Sequence, residues 1–82
     1  MNQKLFFHRE KGNSGEVRYY YLDRNAETGA VYVERHWTAS GYSGSNRIEI
    51  SDFLAGPYVP ASNSFLRLIG RIIEHQRKRN LN

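Results

Sequence analysis

With 82 residues, no cysteine and a formal charge of +4, the chain has room for one domain with a thin core. A chain of this length buries only about 60–65% of the surface it exposes when unfolded. The missing cysteines exclude disulfide staples and thiolate metal sites, so a domain this small is expected to lean on a second copy of itself as a homodimer. After Met1 the apolar run covers only residues 5 to 7, far short of a signal peptide or a membrane span, and the chain reads as soluble and cytoplasmic with no membrane partner.

Taken in chain order, "KLFFHR" is a short candidate strand that ends at the turn-rich "EKGNSGE". "EVRYYYLDR" and "AVYVERHWT" are richer in aromatic and β-branched residues, and "NAETG" between them supplies a hairpin turn with Gly29 available for positive φ. The polar, glycine-containing "ASGYSGSN" reads as a mobile loop. "RIEIS" follows as a fourth strand with Ile48 and Ile50 on one face.

The period then changes. "SDFLAG" makes one short turn capped by Ser51 or Asp52, and "GPYVP" interrupts it, because proline is tolerated only in a helix's first turn. After Pro60, Ser62 or Ser64 caps a helix that runs to about residue 79. Phe65, Leu68, Ile69, Ile72, Ile73 and Gln76 form its apolar stripe, with Leu66 at the edge. Gly70 weakens that helix by about 1 kcal/mol relative to alanine, which predicts a close contact there. The order is β-β-β-β-α: an α+β domain spanning residues 1 to 82, with a four-stranded antiparallel meander followed by one long C-terminal helix.

The central hairpin carries most of the functional signal. A three-residue turn with Gly29 at its left-handed position pairs Tyr19 with Trp37 and Tyr21 with Arg35. One face then reads Val17, Tyr19, Tyr21, Val31, Val33 and Trp37, with Arg35 as an intruder, and is the natural seat for the helix. The other reads Arg18, Tyr20, Leu22, Arg24, Tyr32, Glu34 and His36. Aromatic rings among basic groups are what a single-stranded nucleic-acid surface needs, since bases stack on rings and arginines neutralise phosphates. The same pattern also fits cross-strand pairs on a solvated face, or a protein contact.

Charge adds a second place. Residues 1 to 61 balance seven Lys/Arg with seven acids, whereas residues 62 to 82 hold Arg67, Arg71, Arg77, Lys78 and Arg79 against Glu74 alone. The net charge therefore sits on the helix, where Arg67, Arg71 and Lys78 share one side suited to a polyanion. Nothing nominates a reaction. The three histidines fall in three different elements, no serine sits in a Gly-x-Ser-x-Gly elbow, and the carboxylates are scattered. No enzymatic activity, metal or cofactor is expected.

Residues 31 to 53, "VYVERHWTASGYSGSNRIEISDF", resemble the positive cofactor four family of transcriptional coactivators. The resemblance lies in an alternating strand ending in Arg35, His36 and Trp37, a polar glycine-containing loop, and a strand of basic, Ile, x, Ile, Ser type leading to an aromatic. It implies single-stranded-DNA binding, a β-β-β-β-α fold and dimerisation, with Arg35, Trp37 and Arg47 at strand positions. The chain departs from the family in residues 38 to 46, which carry no charge. The resulting expectation is a small nucleic-acid-binding regulatory protein, preferring single strands. Its site residues are Arg18, Tyr20, Arg24, Tyr32, Arg35 and Arg47 on the sheet and Arg67, Arg71 and Lys78 on the helix. The alternative is a protein-interaction adaptor or inhibitor, of a phage or bacterial kind, using the tyrosine face.

Overall fold

Strands β1 (Leu5–Lys11), β2 (Val17–Arg24), β3 (Val31–Ala39) and β4 (Tyr42–Glu49) form one antiparallel sheet in the order β1-β2-β3-β4. Helix α1 (Ile50–Ala55) and the long α2 (Val59–Asn80) follow, so the α+β meander with a C-terminal helix is the fold. The computed structural model describes residues 4–12 and 15–80, and of residues 79 and 80 the backbone only. Part of the first predicted turn, residues 13 and 14, and the Arg79 side chain lie outside the described residues. No described helix is long and apolar enough to cross a membrane.

The hairpin register differs from the expected one by a single residue, with large consequences. Tyr20 pairs with Arg35, Tyr19 with His36 and Tyr21 with Glu34. The cause is Asn25, whose Oδ1 accepts hydrogen bonds from the backbone N–H groups of Glu27 (2.8 Å) and Thr28 (3.1 Å). This side-chain turn lengthens the loop to four residues, closed by Asn25 N–H donating to the Ala30 carbonyl at 2.8 Å. Gly29 does take positive φ, 75°. Because side chains alternate with period two, a one-residue slip exchanges every side chain on one strand between the two faces.

Tyr20 and Leu22 therefore share a face with Val33, Arg35 and Trp37, and that face is covered by the helices. The core is Tyr20, Val33, Ile48, Phe53, Ala61 and Phe65, with Phe7, Leu22, Ile50, Tyr58 and Ile69 packed around it. Phe53 lies at its centre, with ring centroids 5.5–6.0 Å from Phe7, Tyr20, Tyr58 and Phe65. Phe7 reaches the core through a bulge between Phe6 and His8. The extra residue turns Phe7 and His8 to the helix side and returns Phe6 and Arg9 to the other.

Residues 40 and 41 form a turn, and the rest of the expected loop is strand. Gly41, at φ 92°, turns the chain tightly, and residues 42 to 46 run as strand, pairing Ala39 with Tyr42 and Arg35 with Asn46. Gly44 lets the Trp37 ring lie flat on the sheet, since a Cβ there would fall 2.6 Å from the indole. Strand β4 ends at Glu49, so Ile50 and Ser51 begin α1 rather than ending a strand. Glu49, in the N-cap position of α1, makes no capping bond through its side chain.

Helix α2 starts at Val59, with Pro60 in its first turn, rather than after Pro60. Ser62 and Ser64 consequently lie inside it, and their hydroxyls donate to the Val59 and Pro60 carbonyls. Of the predicted stripe, Phe65 is buried and Leu68, Ile69 and Ile72 are half-buried, while Ile73 and Gln76 are exposed. The helix packs on β1 and α1. At about 1.5 Å per residue its 22 residues extend about 33 Å, which gives the molecule a long axis of 52 Å.

Candidate nucleic-acid interface

The sheet face away from the helices is open, and the register decides what stands on it. Phe6, Tyr21 and His36, one from each of three adjacent strands, form a row across it. Ring centroids are 5.7 Å apart for Phe6 and Tyr21 and 5.4 Å for Tyr21 and His36, both edge-to-face. Tyr19 joins at 6.5 Å from Phe6. Phe6 is 53% exposed and the other three rings are half-exposed. Arg9 pairs with Tyr19 and Lys11 with Val17 along the strand edge. Both cations are exposed and, among the described residues, form no ion pair.

Two acids on this face, Glu34 and Asp23, are occupied. Glu34 Oε1 accepts from Lys4 Nζ at 2.8 Å and from His36 Nε2 at 2.6 Å. Burial alone would raise the Glu34 carboxyl, but these hydrogen bonds and the two charges outweigh it and hold it below its ordinary value. The same hydrogen bond raises the Lys4 ammonium. Asp23, 1% exposed, accepts from the Arg24 backbone N–H at 2.7 Å and from the Tyr32 hydroxyl at 3.0 Å.

The residues expected to form one sheet site are dispersed. Tyr20 is 1% exposed and its phenol, raised chiefly by burial and next by Glu10, belongs to the core; it is not a stacking residue. Arg35 also lies on the helix face, its guanidinium 5.1 Å from the Trp37 ring and 5.6 Å from the Tyr58 ring. Its Nε is buried without a partner among the described residues. Arg18 faces the same side, held 3.6 Å from Glu10 and 3.4 Å from Glu16. Arg24 is exposed at the end of β2, beside Gly29.

Tyr32 and Arg47 are the expected pair that the structure does bring together on the open face. The Arg47 guanidinium lies 4.7 Å over the Tyr32 ring, and both line a groove of about 500 Å³ at the ends of β3 and β4. Covered by that cation, Tyr32 is only 9% exposed. Its phenol is raised first by burial and then by its hydrogen bond to Asp23. Arg67, Arg71 and Lys78 are exposed. At about 100° per residue they cluster along one flank of α2, about 120° around the helix from Ala61 and Phe65. They share no surface with the aromatic row.

Residue-by-residue reading of the sequence placed Tyr32 and His36 on this face but not Phe6, Tyr19, Tyr21, Arg9 and Lys11. The available signals were Asn25, a residue that builds side-chain turns, and the Phe6-Phe7 doublet, which the bulge splits between two faces. Among the described residues, no group of three or more His, Asp or Glu side chains is arranged to hold a metal. Comparison with protein-family models, with curated proteins and with solved structures returned no match to this chain.

Proposed function

We propose that the chain is a non-enzymatic nucleic-acid-binding protein of regulatory type that takes single strands on the open face of its sheet. The observation carrying this reading is the row Phe6, Tyr21 and His36, with Tyr19 beside it, bordered by the exposed cations Arg9 and Lys11, which form no ion pair among the described residues. Bases stack on such rings at about 1–3 kcal/mol each whatever their sequence, and the cations and Arg47 neutralise phosphates along the border. Duplex DNA keeps its bases stacked inside and offers the rings nothing, so single strands are preferred. A cytoplasmic setting fits this role.

A second reading, a protein-interaction module, draws on the acids of the same face. Glu34 and Glu49 alternate there with Arg47 and Lys4, a mixed-charge pattern that suits a protein surface better than a polyanion. Titrating labelled single-stranded and duplex oligonucleotides by fluorescence anisotropy over a range of salt separates the two. Salt-dependent single-strand binding whose slope falls in an Arg9→Ala/Lys11→Ala variant supports the nucleic-acid reading. Absence of binding at low salt leaves the protein partner.

A further inference from the structure

The outward side of α2 is used neither by the core nor by the sheet face. Its exposed apolar residues Val59, Leu66 and Ile73 are 63, 54 and 52% exposed and stand seven residues apart. Asn63, Gly70 and Arg77, all exposed, interleave with them at alternating spacings of four and three. That is the spacing with which one helix meets another along a seam.

Gly70 lies at the middle of this seam. A Cβ built there meets nothing within 4 Å, so the chain's own fold has no use for the missing side chain, and the close contact expected at this position is not made within the chain. Beside it Arg67, Gly70, Arg71 and Glu74 line a shallow groove of about 590 Å³. Residues at these spacings, i, i+3, i+4 and i+7, form the hole that receives one side chain of a facing helix.

We infer that this seam pairs with the same seam of a second copy, antiparallel about a two-fold axis at Gly70. The antiparallel arrangement sets Leu66 of one copy against Ile73 of the other, twice, with the two glycines letting the helices approach. It also makes the charges complementary. Arg67 and Glu74 lie on one flank of the seam, and antiparallel pairing brings that flank against itself, so each Arg67 faces the other copy's Glu74. Asn63 meets Arg77 at either end. Parallel pairing would instead stack Arg77 on Arg77 and leave Arg67 opposite the apolar flank of Ile69. A self-complementary surface of this kind is what an isologous two-fold contact requires.

Sedimentation velocity of the full chain over a concentration series tests this. The wild type sediments as a concentration-dependent dimer. Glu74→Arg turns both pairs into repulsions and weakens association by roughly tenfold or more, while Arg67→Glu combined with Glu74→Arg recreates the pairs in reversed polarity and restores it. Gly70→Leu, placed in open space, abolishes the dimer with an unchanged circular dichroism spectrum. A monomer at all concentrations overturns the inference. So does a dimer indifferent to Glu74→Arg and Gly70→Leu, which would lie on another surface such as the sheet face, or a failure of the double reversal to restore association. A monomer or a failed reversal leaves the nucleic-acid reading untouched, since that reading rests on the opposite side of the molecule, whereas a dimer through the sheet face would cover its rings.

Discussion

Gly44→Ala places a methyl group where the Trp37 ring now lies. A Cβ at this position would stand 2.6 Å from Cζ2, 2.7 Å from Cε2 and 2.8 Å from Nε1 of the indole, closer than any real carbon contact. The backbone itself accepts alanine, since Gly44 is not among the residues of positive φ, and alanine gains about 0.5–1 kcal/mol over glycine from chain entropy. Against that, the rigid indole must swing away and give up its contact with the Arg35 guanidinium, an overpacking cost of about 1–3 kcal/mol. The difference is a net loss of up to about 2.5 kcal/mol, which in a domain of this size lowers Tm by up to about 20 °C. Trp37 is the sole tryptophan, so its fluorescence reports both the unfolding curve in urea and, through a red shift, the ring's displacement toward water. A variant as stable as the parent with unchanged emission would refute the pairing of Trp37 with Gly44 and with it the strand character of residues 42 to 46.

Tyr20 and Tyr21 should separate fold from function. Tyr20→Ala removes a fully buried ring at about 3–5 kcal/mol, comparable with the roughly 4–12 kcal/mol total stability of a chain this long, and its circular dichroism melt should approach that of an unfolded chain; Tyr21→Ala should retain a cooperative melt. In acid, Glu34 should contribute to unfolding. Its folded carboxyl is held below its unfolded value, so its stabilisation is present above about pH 4.5 and is lost as pH falls through the folded value. Glu34→Gln should therefore flatten the acid limb of a stability-against-pH curve. In alkali the sign reverses: Tyr20 and Tyr32 are both raised above 10.0, so their contribution is complete below that pH and lost as pH climbs through the folded values. Ultraviolet difference absorbance should show two tyrosines ionising late, together with unfolding.

The fold was largely legible because it is written in patterns that survive small errors of position. Alternation in residues 17 to 24 and 31 to 39 marks strands in any register, and the stripe through Phe65, Leu68, Ile69 and Ile72 marks a helix wherever it starts. The site was less legible because it depends on which face each residue takes, and period two makes that all or nothing. Choosing a three-residue turn over the four-residue turn built by Asn25 placed Tyr20 on the surface and Tyr19 and Tyr21 in the core, the reverse of their positions. Residues 42 to 46, rich in Ser and Gly, carry little strand propensity of their own. They are strand because β3 offers an unpaired edge and the Trp37 ring needs Gly44 beneath it. Arg35 was correctly read as an intruder on the helix-side face, but its seat between Trp37 and Tyr58 arises from a residue more than twenty positions away, beyond the reach of local pattern.

The measurement that bears most directly on the central claim is the anisotropy titration of a labelled single-stranded oligonucleotide with three proteins at low salt: the parent, Tyr19→Ala/Tyr21→Ala, and a variant lacking Arg67, Arg71 and Lys78. The parent should bind in the micromolar range or tighter. Loss of two stacking rings at about 1–3 kcal/mol each should weaken it by at least about thirtyfold, while the helix variant should retain most of its affinity. Binding that survives the tyrosine changes and disappears with the helix cations would contradict the account and move the interface to the outward side of α2.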